Sequence, residues 1–323
     1  MPKVRSKLEF IPPDFNPVFL KLAHWALPIV RRVRIQPWLP AGISDIETLN
    51  VETLVDLYYR FQQGKIRLIM AFRHCEVDDP ICGMYLLSKA LPATARQQGI
   101  SLQLPINTHF MYDRGMPIWA GSWLGKLFSR WGGIPVHRGK SLDLIAIKTA
   151  RDILINGNYP LVVAPEGATN GHSEIVSPLE PGVAQLSFWC ANDLAKANRD
   201  EEVIVVPIGI QYHYIKPQWQ KLDRLLSQLE ADCGLSKQES DRSNSKNPEN
   251  FYYQRIFKLG EYLLSEMEKF YQRFYHRKLP QFDSNNSEEN ITVRLTGLLN
   301  VALEVAEEYF NIKAQGTIIE RCR

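Results

Sequence analysis

The chain has 323 residues, 45% hydrophobic and 23% charged, ordinary proportions that exclude wholesale disorder and allow one large domain or two modest ones. Its formal net charge of +3 is too small to argue for a nucleic-acid partner. The five cysteines (Cys75, Cys82, Cys190, Cys233 and Cys322) are scattered without CxxC pairs or framework spacing, which fits a reducing, cytoplasmic setting.

Residues 1–60 read as a basic, amphipathic arm ending in a helix near 45–62. Lys3, Arg5, Lys7, Lys21, Arg31, Arg32 and Arg34 stand there against Glu9 and Asp14, a net of +5 over residues 1–40. Residues 216–323 balance 16 basic with 16 acidic side chains, so the positive excess lies in the arm. The apolar run 17–30 is interrupted by Lys21, His24 and Pro28 and falls short of the ~18–20 residues needed to span a bilayer. Such a segment suits the headgroup region, with Phe19 and Trp25 inserted and Arg31-Arg32-Val33-Arg34 on anionic lipid. Its plainer alternative is a helix packed on the domain with a solvated basic end. The first 15 residues lack an apolar core, so no signal peptide is expected, and the predicted location is peripheral, on the cytoplasmic face of a membrane.

From residue 61 to 215, β-type runs alternate with helical patterns. Strands are expected at 67–72, 102–107, 133–137, 161–164 and 203–210, with helices near 80–97, 121–130, 142–156 and 182–197. That alternation predicts an α/β layer built on a mainly parallel sheet. Residues 216–323 read as a helical extension, with helices near 218–231, 251–279 and 287–312 and a polar loop near 235–250. No internal repeat is visible.

The densest chemical signal is Phe72-Arg73-His74-Cys75-Glu76-Val77-Asp78-Asp79-Pro80, where the first strand gives way to a helix. Five residues along a helix turn through about 140° net, so one helix cannot aim His74 and Asp79 at a common point. A strand-to-helix turn can. Asp79-Pro80 marks the helix start, as N-cap and first helical residue. Asp79 is then near the His74 ring, where it fixes the tautomer and stabilises the imidazolium. Chance matches to so short a motif are common. Three further blocks follow: Gly133-Ile134-Pro135-Val136-His137-Arg138-Gly139, Ala164-Pro165-Glu166-Gly167-Ala168-Thr169-Asn170-Gly171, and Val203-Ile204-Val205-Val206-Pro207-Ile208-Gly209-Ile210.

In this order and spacing, over residues 60–215, the four blocks resemble the glycerolipid acyltransferases, the family of glycerol-3-phosphate and lysophosphatidate acyltransferases. The resemblance implies a mixed, mainly parallel sheet flanked by helices, with no metal or prosthetic group. It implies transfer of a fatty acyl group from acyl-CoA or acyl carrier protein to a glycerolipid hydroxyl. His74 becomes the general base, and the family spacing selects Asp79 over Asp78 as its orienter. Arg138, with Lys140 beside it, is the site for the acceptor's phosphate, since a planar guanidinium suits phosphate oxygens. Glu166 is expected to accept from an acceptor hydroxyl or to anchor its loop, and Gly167 to supply a turn with open amides.

Two positions depart from the family pattern. Arg73 stands where Asn is usual; it would disfavour the imidazolium only if it pointed the same way as His74, which strand alternation argues against, and its other expected use is to help hold a phosphate. Ala168-Thr169-Asn170 replaces the usual Thr-Arg-Ser, so a second phosphate-binding Arg is missing, as in members that reacylate lysophospholipids with larger head groups. The leading acceptor is 1-acylglycerol-3-phosphate. Lysophospholipid remodelling is one alternative, and an inactive, membrane-associated lipid-binding protein on the same scaffold is another. Cys75 offers a rival nucleophile, disfavoured because neighbours in extended backbone point apart. Gly139-Lys140-Ser141 is not a P-loop, because the Gly required at 134 is Ile, and no G-x-S-x-G elbow is present. The aromatics Phe110, Tyr112, Trp119, Trp123, Phe128 and Trp131 read as core before they read as an acyl groove. No histidine has metal-ligand spacing to a partner.

Overall fold

The computed structural model describes residues 9–32, 42–137, 143–235, 247–279, 287–313 and 315–321. It falls into two compact units, Met1–His213 and Tyr214–Arg323.

The first unit is built on five strands: β1 (Ile66–Phe72), β2 (His109–Asp113), β3 (Gly133–Val136), β4 (Leu161–Val163) and β5 (Glu202–Ile208). Their order is β3-β2-β4-β1-β5, and every pairing among the described residues is parallel. The expected mainly parallel sheet is therefore wholly parallel there. Parallel strands need crossovers, which here carry helices onto both faces. On one face lie α2 (Val51–Gln62) and the run α3 (Asp79–Tyr85), π-turn (Leu86–Ala90) and α4 (Leu91–Gln97). They pack on Ile66, Leu68 and Met70 of β1 and on Ile204 and Val206 of β5. On the other face, α7 (Leu144–Asn156) and α8 (Gly182–Lys196) pack on Ile69, Leu161 and Val163. The strict alternation along β1 sorts its side chains between two cores, so a one-residue slip would exchange them.

The π-turn has a local cause. Pro92 has no N–H to give the carbonyl four residues back, and its ring crowds that carbonyl, so the helix widens just before it. Arg67, buried on β1, donates to the terminal carbonyls of α7, at Leu154 (2.5 Å) and Gly157 (2.7 Å), where the helix dipole favours a cation.

Two expectations are corrected. The helix expected from 45 begins at Val51, because Asn50 adopts the left-handed conformation (φ 57°). The strand expected at 102–107 is irregular, and β2 lies two residues beyond it. Pro105 has no N–H for a ladder, and side chains of α2 take the backbone groups instead: Gln62 pairs with both N–H and C=O of Gln103, and Tyr58 does the same with Asn107. In β2, Phe110 and Tyr112 pack on Phe128 of α6 (Trp123–Arg130), and Phe128 on Trp131. Of the aromatics read as core, Tyr112 is buried and Phe110, Phe128 and Trp131 are partly buried, but Trp123 is exposed.

The arm is joined to this unit. Asp14 and Asn16 donate backbone bonds to Ser129 and Arg130, and Asn16 caps α1 (Pro17–Val30). Leu20 and Leu27 are buried and α1 packs on α3, yet Val18, Leu22, Trp25 and Ile29 stay exposed. The plainer reading, a helix packed on the domain, holds for one side of α1, and the other side is exposed and apolar.

The second unit is helical, with α9 (Trp219–Asp232), α10 (Pro248–Tyr275), α11 (Ser287–Phe310) and α12 (Ile318–Arg321) following a short α5 (Met116–Ala120) and α6 in chain order. Arg255 is buried and bridges α10 to α9 through Asp223 (2.9 Å) and Glu230 (2.7 Å). Stacking of Trp219 on Tyr252 completes that contact. Of the apolar periodicity read along α10, Leu259 is buried, whereas Ile256, Leu263, Met267 and Phe270 remain exposed.

Candidate active site

In a parallel sheet every strand delivers its following loop to the same edge, and binding crevices form where adjacent loops leave toward opposite faces. The chain after β1 goes to the α3 face and the chain after β4 to the α8 face, and these two strands are neighbours. His74 lies just beyond β1 and Glu166 just beyond β4.

His74 Nδ1 is 2.9 Å from Asp79 Oδ2. Asp79 is 1% exposed, and its carboxylate also accepts from the Glu76 amide (3.1 Å) and the Tyr212 hydroxyl (2.7 Å). An acceptor carboxylate at Nδ1 places the ring proton there and leaves Nε2 as the basic nitrogen. The His74 side chain is partly exposed, so the ring is reachable while its partner is not. Helix α3 starts at Asp79 with Asp78 in the cap position, so the expected cap role for Asp79 is replaced by this pairing.

Arg73 is corrected. Its guanidinium donates to the carbonyls of His172 (2.8 Å), Ser173 and Ile175 (2.5 Å), with Glu166 3.8 Å away. A guanidinium committed to three carbonyls is not free to hold a phosphate. Glu166, 4% exposed, accepts from the amides of Ser177 (2.7 Å) and His74 (3.3 Å) and from the Asn170 side chain (3.1 Å). Asn170 reaches on to Ile175 O and Ser177 Oγ. Of the two roles expected for Glu166, it fills that of anchor. Both departures from the family pattern, Arg73 and Asn170, therefore serve one clamp that holds residues 172–177 against the His74 loop.

Gly167 does not offer an open amide, since its N–H closes a turn on Ala164 O (3.1 Å). Its φ of +76° lies in the left-handed region that favours glycine, and the Glu180 carboxylate sits close to where a Cβ would be. Cys75 is buried and donates to Ile210 O (3.2 Å), and burial pushes its thiol pKa up, so it is an inert thiol. Arg138 and Lys140 lie outside the described residues. Asp143 is described, and it accepts from the His137 amide (2.8 Å), caps α7 and pairs with Arg114.

Residues 62–211 match the family model described as Acyltransferase. These residues form an acyltransferase domain. Comparison with curated proteins and with solved structures gave no match. All of His74, Asp79, Arg73 and Glu166 fall inside the acyltransferase domain, whereas Tyr212 lies one residue past the matched segment. Sequence reasoning missed Tyr212, which no motif spacing marks. The signal that finds it is position, since it follows β5 at the edge where the other loops gather. Burial, with Cys82 and Asp79 close by, raises the Tyr212 pKa far above its ordinary value, so the phenol stays a hydrogen donor. Among the described residues, no helix of the chain is long and apolar enough to cross a membrane, and no group of His, Cys, Asp and Glu is placed to hold a metal ion.

Proposed function

We propose that the chain transfers a fatty acyl group from a thioester, acyl-CoA or acyl carrier protein, to a free hydroxyl of a glycerolipid, with 1-acylglycerol-3-phosphate as the acceptor. The observation that carries this reading is the His74–Asp79 pair at the carboxyl edge of the sheet, inside an acyltransferase domain. Nε2 of neutral His74 takes the acceptor's hydroxyl proton as its oxygen attacks the thioester carbonyl. Asp79, ionised at Nδ1, stabilises the imidazolium that forms. The tetrahedral intermediate collapses with cleavage of the C–S bond, and the imidazolium returns the proton to the departing thiolate. Arg138 and Lys140 hold the acceptor's phosphate, and α1 rests its exposed apolar side on an anionic membrane surface that supplies the acceptor.

Lysophospholipid remodelling is the second reading, favoured by Ala168-Thr169-Asn170. Thr169 stands where the family pattern has a second phosphate-binding Arg, so that position offers the acceptor no cation. Purified protein given labelled acyl-CoA or acyl carrier protein and a panel of acceptors separates the readings. Phosphate-terminated acceptors should be preferred. Preference for head-grouped lysophospholipids would favour remodelling, and absence of transfer to every acceptor would leave a binding protein. On the preferred acceptor, Arg138→Lys should raise the acceptor's KM far more than the donor's, because one ammonium does not replace a bidentate fork. A selective rise in the donor's KM would move Arg138 to the thioester side.

A further inference from the structure

Asp79 is held from two sides. Oδ2 meets His74 Nδ1, and Oδ1, on the opposite side of the carboxylate, accepts the Tyr212 hydroxyl at 2.7 Å. Tyr212 comes from the other end of the domain, 133 residues along, and its own backbone is fixed. Its N–H donates to Ser173 Oγ (3.0 Å), in the loop clamped by Arg73. Two residues earlier, Ile210 O accepts the Cys75 thiol. The phenol is thus tied at its base to the β4–α8 loop and at its tip to the first residue of α3. A buried carboxylate with one oxygen unpaired would turn to find a second donor, and turning would take Oδ2 off the line to His74.

We propose that Tyr212 is a positioning residue for acyl transfer: its hydroxyl holds Oδ1 of Asp79 so that Oδ2 stays aligned with Nδ1 of His74. This rests on the reading of His74 as the base. Tyr212 does no proton transfer and acts only through the carboxylate.

The test is Tyr212→Phe, which keeps the ring and removes one oxygen, alongside His74→Ala, Asp79→Asn and the Asp79→Asn/Tyr212→Phe double variant of the full chain. Tyr212→Phe should lower kcat by roughly ten- to a hundredfold, the scale of a lost hydrogen bond to a buried charge, with both KM values unchanged. In the Asp79→Asn background the Tyr212 substitution should cost little more, since the carboxylate it positions is gone. Full activity in Tyr212→Phe, a change confined to KM, or an equal loss with and without Asp79 would each overturn the proposal. A His74→Ala protein that keeps its turnover would instead overturn the general-base reading itself, so the two failures are distinguishable.

Discussion

At the scale of single residues, the division of labour around His74 follows from which groups are paired and which are buried. Asp79 is spent on three donors and Cys75 on one carbonyl, while the His74 ring remains reachable. His74→Ala should therefore lower kcat by at least ~10²-fold, the usual scale for a lost positioned base, with little change in thermal stability. Cys75→Ala should leave turnover nearly intact, and the folded protein should resist thiol alkylation at Cys75, whose pKa is raised by burial. Turnover that survives in His74→Ala but is lost in Cys75→Ala would reverse these roles. The pair was legible in the sequence because its five-residue spacing crosses a strand-to-helix turn. Tyr212 was not, because a contact made across 133 residues leaves no local pattern, and only the gathering of strand ends at one edge brings it near. The fate of Arg73 was equally hidden: sequence gives its charge, not the three carbonyls that use it.

At the scale of elements, period and length served well where the backbone pairs with itself and failed where side chains replaced those pairings. β1, β3, β4 and β5 lie close to where their apolar runs place them, and the long helices of the second unit follow their periodicity. The run at 102–107 looks like a strand by composition, but Pro105 and the side chains of Gln62 and Tyr58 give its backbone other partners. The clamp at 172–177 is another such case, a loop ordered by side chains. Arg73→Lys should loosen it, because a single ammonium cannot span carbonyls at 172, 173 and 175 as a planar fork does. Amide exchange at residues 172–177 should quicken, and turnover should fall through the Glu166 bond to the His74 backbone. Unchanged protection of those amides would mean that Asn170 and Glu166 hold the loop unaided.

At the scale of the molecule, the proposed function makes α1 the element through which the domain would meet a lipid substrate. One side of it is committed to the fold through Leu20 and Leu27, so deleting residues 1–35 would test folding and binding at once. Its other side carries Val18, Leu22, Trp25 and Ile29 at helical spacing, with Trp25 77% exposed, and this is the side to test. Burial, with Lys89 nearby, lowers the His24 pKa, so at neutral pH that residue adds no charge and the attraction rests on Lys21, Arg31 and Arg32 within the described part of the arm. Each such residue near an anionic surface is worth about 1 kcal/mol and is weakened by salt. Vesicle flotation of the full chain should show binding that rises with anionic lipid and falls in high salt to a remainder set by the apolar side chains. Trp25→Ser with Ile29→Ser should abolish that remainder while leaving the melting temperature and the activity on detergent-dispersed acceptor unchanged, because neither side chain is part of the core. Equal binding to neutral and anionic vesicles would remove the electrostatic part. Undiminished high-salt binding by the double variant would show that the exposed side of α1 is not what holds the protein to lipid.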